Sequence, residues 1–224
     1  MHVTSNRPDP ARRFCAKALI SSGLLGPIVL SAIAVRAQSV DMLIGDFTGR
    51  DFISNLGTRW RAVSDQVMGG ISKASVTHDI IDGRPCLHFT GDVRVENDGG
   101  FIQAALDLAS SAGKLDASDY TGVRLSVRGN SENYSVHLRT PDNVRPWQSY
   151  RAHFTAGVDW ETIDLPFETF TPFRLEVPLD ITRLRRIGLV AIGRAFHASL
   201  AVSELGFYRQ RQLSSHSEEL STVA

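Results

Sequence analysis

The segment Val123-Arg124-Leu125-Ser126-Val127-Arg128 puts an apolar side chain at every second position and a polar one between. Successive side chains of a strand point to opposite faces, so this segment reads as a strand with one face buried and one wet. The alternation recurs in Tyr134 to Arg139, where Tyr134, Val136 and Leu138 oppose Ser135, His137 and Arg139, and in Tyr150 to Phe154, where Tyr150, Ala152 and Phe154 oppose Arg151 and His153. Outward from these, Met42 to Phe47, Ile71 to Thr77, Leu87 to Thr90, Phe101 to Leu108, Trp160 to Leu165, Ile187 to Ile192 and Ser199 to Tyr208 read as further strands. Asp82-Gly83, Asn97-Asp98-Gly99-Gly100, Gly129-Asn130 and Ala156-Gly157 separate them as turns. About ten short strands with such punctuation predict an all-β sandwich of jelly-roll type. Its expected core includes Trp60, Leu125, Val136, Phe154, Ile163, Leu189 and Phe207. One helical turn is expected, at Asp180 to Leu184 with Asp180 as N-cap.

The 224 residues are 42% hydrophobic and 21% charged, an ordinary globular composition. Of 24 basic and 24 acidic residues, five basic and one acidic fall before residue 38, which leaves 19 basic against 23 acidic in the body. A mildly acidic body gives little counterion release from phosphates, so nucleic acid is disfavoured as a partner. Behind Arg12, Arg13 and Lys17, Ala18 to Val35 is an uncharged run, and Val35-Arg36-Ala37 supplies small residues for cleavage. This order reads as a secretory signal over residues 1–37, with a domain over 38–209 exported to a periplasm-like compartment. An uncleaved anchor facing outside and a mitochondrial presequence are the competing readings, the first making the membrane a partner only through this segment. Residues 210–224 form a polar tail expected to fray. With Cys15 in the leader, Cys86 is alone in the body and reads as a buried small hydrophobe.

Enzyme signatures fail: the chain contains no phosphate-binding loop, dinucleotide fingerprint, nucleophile elbow or His-Glu-x-x-His motif. Asp65 with Glu96 is the one carboxylate pair worth inspecting for acid–base work. His88, His137 and His153 could meet across a sheet as metal ligands, but read as polar-face residues. Glu96-Asn97-Asp98 could offer oxygens to calcium, but reads as a solvated turn. No metal or cofactor is expected. The most specific string is Trp60-Arg61-Ala62-Val63-Ser64-Asp65-Gln66-Val67-Met68-Gly69-Gly70-Ile71-Ser72. Gly69-Gly70 supplies positive φ or close backbone approach, Asp65 accepts backbone N–H groups, and Trp60 and Met68 are apolar anchors of a structured loop.

That string resembles the opening of the complex I intermediate-associated protein 30 family, where a Trp, then Asp, then Val-Met-Gly-Gly-x-Ser begins the domain. Phe89-Thr90-Gly91, Asn97-Asp98-Gly99-Gly100-Phe101, Tyr120-Thr121-Gly122-Val123, Val127-Arg128-Gly129, Trp160 with Leu165-Pro166-Phe167, Ile187-Gly188-Leu189 and Phe207-Tyr208 follow in the family's order, so the resemblance covers residues 42–209. It implies a galactose-binding-like jelly-roll β-sandwich and a non-enzymatic factor assisting respiratory complex I assembly. The chain departs from the family at Ile102-Gln103-Ala104-Ala105, where the family often has an Arg after Gly-Gly-Phe, at Asn130-Ser131, and at Phe173-Arg174-Leu175-Glu176 in place of a Pro-x-x-Arg-Gly loop.

Two functions compete: a scaffolding factor for a protein partner in respiratory-complex assembly, and an exported carbohydrate-binding-like module for glycan. Arg139, Arg145, Trp147, Tyr150 and Arg151 are the candidate ligand or partner surface, since aromatic faces flanked by arginines suit sugar rings. Trp60, Asp65, Met68, Gly69, Gly70, Ser72, Gly99 and Gly100 are assigned to a structural loop, with binding carried elsewhere. Mass spectrometry of the native protein is expected to find an N-terminus at Gln38, and an intact Met1 in the soluble cytosol would reject export.

Overall fold

The computed structural model describes residues 40–110 and 113–210, so the expected signal segment and all but the first residue of the polar tail lie outside the described residues. Twelve strands run in chain order: β1 (Met42–Gly45), β2 (Arg61–Ser64), β3 (Lys73–Ile81), β4 (Arg84–Val93), β5 (Phe101–Asp107), β6 (Gly122–Arg128), β7 (Glu132–Arg139), β8 (Ser149–Ala156), β9 (Glu161–Pro166), β10 (Thr171–Phe173), β11 (Arg186–Ile192) and β12 (Phe196–Tyr208). The ten expected strands are present, and Ile181–Arg183 forms a 3-10 turn whose first amides are met by Asp180. Two strands, β2 and β10, were not anticipated. Both are short edge strands, too brief to show a period.

All pairings between strands are antiparallel and build two sheets. The first orders β3-β4-β12-β6-β9, with β1 beside the C-terminal end of β12. The second orders β10-β8-β7-β11-β5-β2. Asp82 and Gly83, at φ 51° and 75°, make the tight β3–β4 turn, a conformation that Asp tolerates and Gly adopts freely. Between the sheets, Leu125, Val127 and Phe207 from the first meet Val136, Leu138 and Leu189 from the second, all fully buried. Trp60 packs on Phe47 with ring centroids 6.0 Å apart. Tyr134 on β7 carries its hydroxyl across the core, accepting from Ser199 N of β12 at 2.9 Å and donating to Asn130 at 2.7 Å. Burial pushes that phenol up to about 12, so it stays protonated and able to donate.

Two core expectations need correction. Ile163 is only partly buried, because β9 is the edge of its sheet. Tyr150, expected on the ligand surface, is fully buried in the core and donates to Pro178 O at 3.2 Å. Alternation along β8 sends Tyr150 inward and its neighbour Arg151 outward. Cys86 is buried as expected, and burial with the Asp79 charge raises its thiol pKa. Leu125→Ala is expected to cost about 2–5 kcal/mol, measured as a lowered chemical-denaturation midpoint.

Candidate functional site

The chain leaves β2 into a 3-10 turn, Asp65–Met68, capped at its start by Ser64 and at its end by Gly69 at φ 92°. Asp65 is fully buried beneath this turn. Its Oδ1 accepts from Ser72 N at 2.9 Å, and its Oδ2 accepts from the Ser72 hydroxyl, from Gly100 N at 2.6 Å and from Phe101 N at 3.3 Å. Burial acts to raise the carboxyl pKa, but these donors from Gly100, Ser72 and Phe101 outweigh it and hold the group below its ordinary 3.8. The Ser72 hydroxyl in turn accepts from Arg94 N at 2.9 Å, just past β4. The expected loop is therefore a clasp that joins the end of β2 to the start of β3, the end of β4 and the start of β5.

The two glycines divide the labour. Gly69 supplies the positive φ, while Gly70 supplies close approach, because a Cβ there would lie 2.3 Å from the Asp65 carboxylate carbon. Gly99 is tight for the same reason, its Cβ position 2.6 Å from Asp65 Oδ2. Met68 is not an apolar anchor. It is half exposed, because the clasp turns Val67 and Met68 outward while drawing Asp65 in.

Those outward side chains form one wall of a groove of about 560 Å³ over the outer face of the second sheet. Val95, Gly99 and Gly100 extend that wall. Pro146, Trp147 and Gln148 of the β7–β8 loop, with Phe173 and Arg174 at β10, line the groove as well. Gln103, His137 and Val190, from three neighbouring strands, line its floor. The Gln103 amide lies across Gly188, where a Cβ would sit 1.8 Å from its nitrogen. The outer side of this sheet is thus covered at its centre: Val190, Ser135 and His137 are buried although they alternate away from the core. Burial, then Arg151 and His153, push His137 down to about 3, so it is neutral at pH 7 and shares a hydrogen bond with Ser135 at 3.0 Å.

Of the proposed surface residues, the groove brings together Arg139, Trp147 and Arg151. Trp147 is 49% exposed. The Arg151 guanidinium lies 3.5 Å from the Phe173 ring centre and donates to Ser149 at 2.9 Å, so it is a half-buried stacked group rather than a freely solvated one. Arg139 donates to the carbonyls of Arg145 at 2.9 Å and Asn143 at 3.2 Å, which holds the β7–β8 loop. Arg145 contributes that carbonyl but does not line the groove. Phe173, Arg174, Gln103 and Val67 were not anticipated. Phe173, Arg174 and Gln103 fall within the departures from the family pattern, and that was the available signal.

The other candidates do not converge. His88 sits on the first sheet and bonds Ser199, whereas His137 and His153 sit on the second. Glu96 is exposed and engaged by Arg94, which lowers its pKa, while Asp65 is occupied by the clasp, so the two carboxylates form no acid–base pair.

Solved structures that share this two-sheet β-sandwich fold include carbohydrate-binding modules. The family 11 carbohydrate-binding module from Clostridium thermocellum, in complex with a β-1,3-1,4-mixed-linked tetrasaccharide, matches with a TM-score of 0.58 and 14% identity over 76% of this chain and 96% of that one. The family 30 carbohydrate-binding module of a cellulosomal cellulase of Clostridium thermocellum matches at 0.56 and 13% over 78% and 100%. At such identities the likeness is one of fold. The sequence pattern of the Complex I intermediate-associated protein 30 (CIA30) family matches residues 46–202, and the chain belongs to that family. No curated protein matches it.

Asp65→Asn is expected to lower stability by about 1.5–3 kcal/mol, the scale of hydrogen bonds to a charged group. Because the folded pKa lies below the ordinary value, the carboxylate's contribution is complete above about pH 4 and is lost as pH falls through the folded pKa. Denaturation midpoints measured down the acid range should therefore fall less steeply for the Asn variant. Gly70→Val should cost more than about 1 kcal/mol, through overlap with Asp65 rather than through φ.

Proposed function

We propose that the groove binds glycan chains and that the domain is an exported binding module. The observation that carries this reading is the pairing of an exposed indole, Trp147, with the Phe173–Arg151 stack in one open groove. A sugar ring offers an apolar C–H face and a rim of hydroxyls. The apolar face packs on aromatic rings, and the hydroxyls accept from guanidinium and amide donors such as Arg151 and Gln103. The resemblance to carbohydrate-binding modules supports the same reading, as does the basic–apolar–small order of residues 1–37 for an address outside the cytoplasm.

A second reading is favoured by family membership: a protein partner in respiratory-complex assembly, gripped by the apolar wall of Val67, Met68 and Val95. Affinity electrophoresis of the mature protein in gels containing mixed-linked β-glucan and other polysaccharides separates the two. Retardation by a glycan supports the first reading, whereas recovery of respiratory-complex subunits with no retardation by any glycan supports the second. Trp147→Ala is expected to weaken glycan binding by at least about tenfold, roughly 1.4 kcal/mol, while its thermal midpoint stays near that of the wild type, since the ring is half exposed.

A further inference from the structure

Resting on the glycan reading, we infer that the groove selects acidic glycans, those bearing a carboxylate or sulfate on the sugar, over neutral ones. The residues that line the groove include four arginines, Arg139, Arg151, Arg174 and Arg186, and no Asp or Glu. This stands against a body with more acidic than basic residues. Arg186 is engaged by Asp107 at 2.7 Å, but among the described residues no carboxylate pairs with Arg139, Arg151 or Arg174.

A recess of about 230 Å³ shares Arg139 and Arg186 with the groove and adds Arg185, Thr140, Asn143 and Asp107. Asp107 already serves both Arg61 and Arg186, which leaves Arg139 and Arg185 without an acidic partner there. Asn143 is 6% exposed, and its Oδ1 accepts from Thr140 N at 2.6 Å, which fixes the amide's orientation. Its Nδ2 is buried without an acceptor. A buried N–H donor without a partner, in a recess that three arginines line, is the complement of an oxyanion. The pKa of Arg139 is lowered chiefly by burial and further by the nearby charges of Arg186 and Arg185. A neutral hydroxyl would satisfy one donor but would leave that repulsion standing. A uronate carboxylate or a sulfate ester meets both.

Polygalacturonate and its fully methyl-esterified form test this cleanly, since they share a backbone and differ in charge. Calorimetric titration of the mature protein should show at least tenfold tighter binding of the free acid. Arg185→Glu should abolish that preference with an unchanged melting temperature, because Arg185 is exposed. Lys73→Glu, the same charge change on the first sheet, should retain it. Preference for a sulfated galactan over its desulfated form, in place of uronate, would support the same oxyanion chemistry and identify the group. Equal or tighter binding of neutral glucan or of the methyl ester overturns the inference and leaves the glycan reading standing. Binding of poly-glutamate with no binding of any glycan overturns both, in favour of an acidic protein partner.

Discussion

One buried carboxylate holds the working end of the sandwich together. Asp65 accepts from four donors that come from the start of β3 and the start of β5, and through Ser72 it reaches the end of β4. β3 and β4 belong to the first sheet, β2 and β5 to the second. At this end the sheets are therefore joined by polar bonds as well as by the apolar core. An ionised group taken from water is stabilised only where its lone pairs are met, and here they are met by groups that the strands must present in register. Loss of any one donor exposes the whole arrangement to the desolvation of the charge. This also explains why two glycines crowd the carboxylate: a side chain at Gly70 or Gly99 would occupy the space the oxygens use.

The clasp is also the foundation of a groove wall. Because Asp65 is drawn in, the next turn of backbone must send Val67 and Met68 out, and they line the groove. A division of the chain into a structural loop and a separate binding surface is thus too sharp. The residues inside the loop are structural, and those on its outside shape the site.

How much of this was legible in the sequence depended on how much periodic pattern each element carries. β6, β7 and β8 show three or more alternating positions, and their inward faces follow the alternation, including the outer-face placement of Arg139 and Arg151. Alternation also forbids Tyr150 and Arg151 from sharing a face, so of the two aromatics grouped with the arginines by nearness in sequence, Trp147 reaches the groove and Tyr150 does not. The ring that stacks on Arg151 is Phe173, twenty-two residues along the chain, brought there by β10 pairing with β8 in a register that opposes Thr171 to Arg151. A three-residue edge strand has no period to read. Nor does period distinguish a solvated outer face from one roofed by loops, which is why His137 and Ser135 read as wet positions and are buried.

The strings that resemble the family's and the departures from its pattern both reach the groove, but contribute differently. Trp60, Asp65, Gly69, Gly70, Ser72, Gly99 and Gly100 build the core edge and the clasp, where packing and hydrogen-bond geometry leave little freedom. Gln103, Phe173 and Arg174 stand where this chain departs, and all three line the groove. Substitutions at half-exposed groove positions cost the fold little, because they neither open the core nor strand a buried donor. In the proposed site they would alter directly what a ligand meets: an amide on the floor, an aromatic ring under a guanidinium and a second cation beside it. In the proposed site, recognition would rest on Gln103, Phe173 and Arg174 together with Val67 and Met68 on the outside of the clasp.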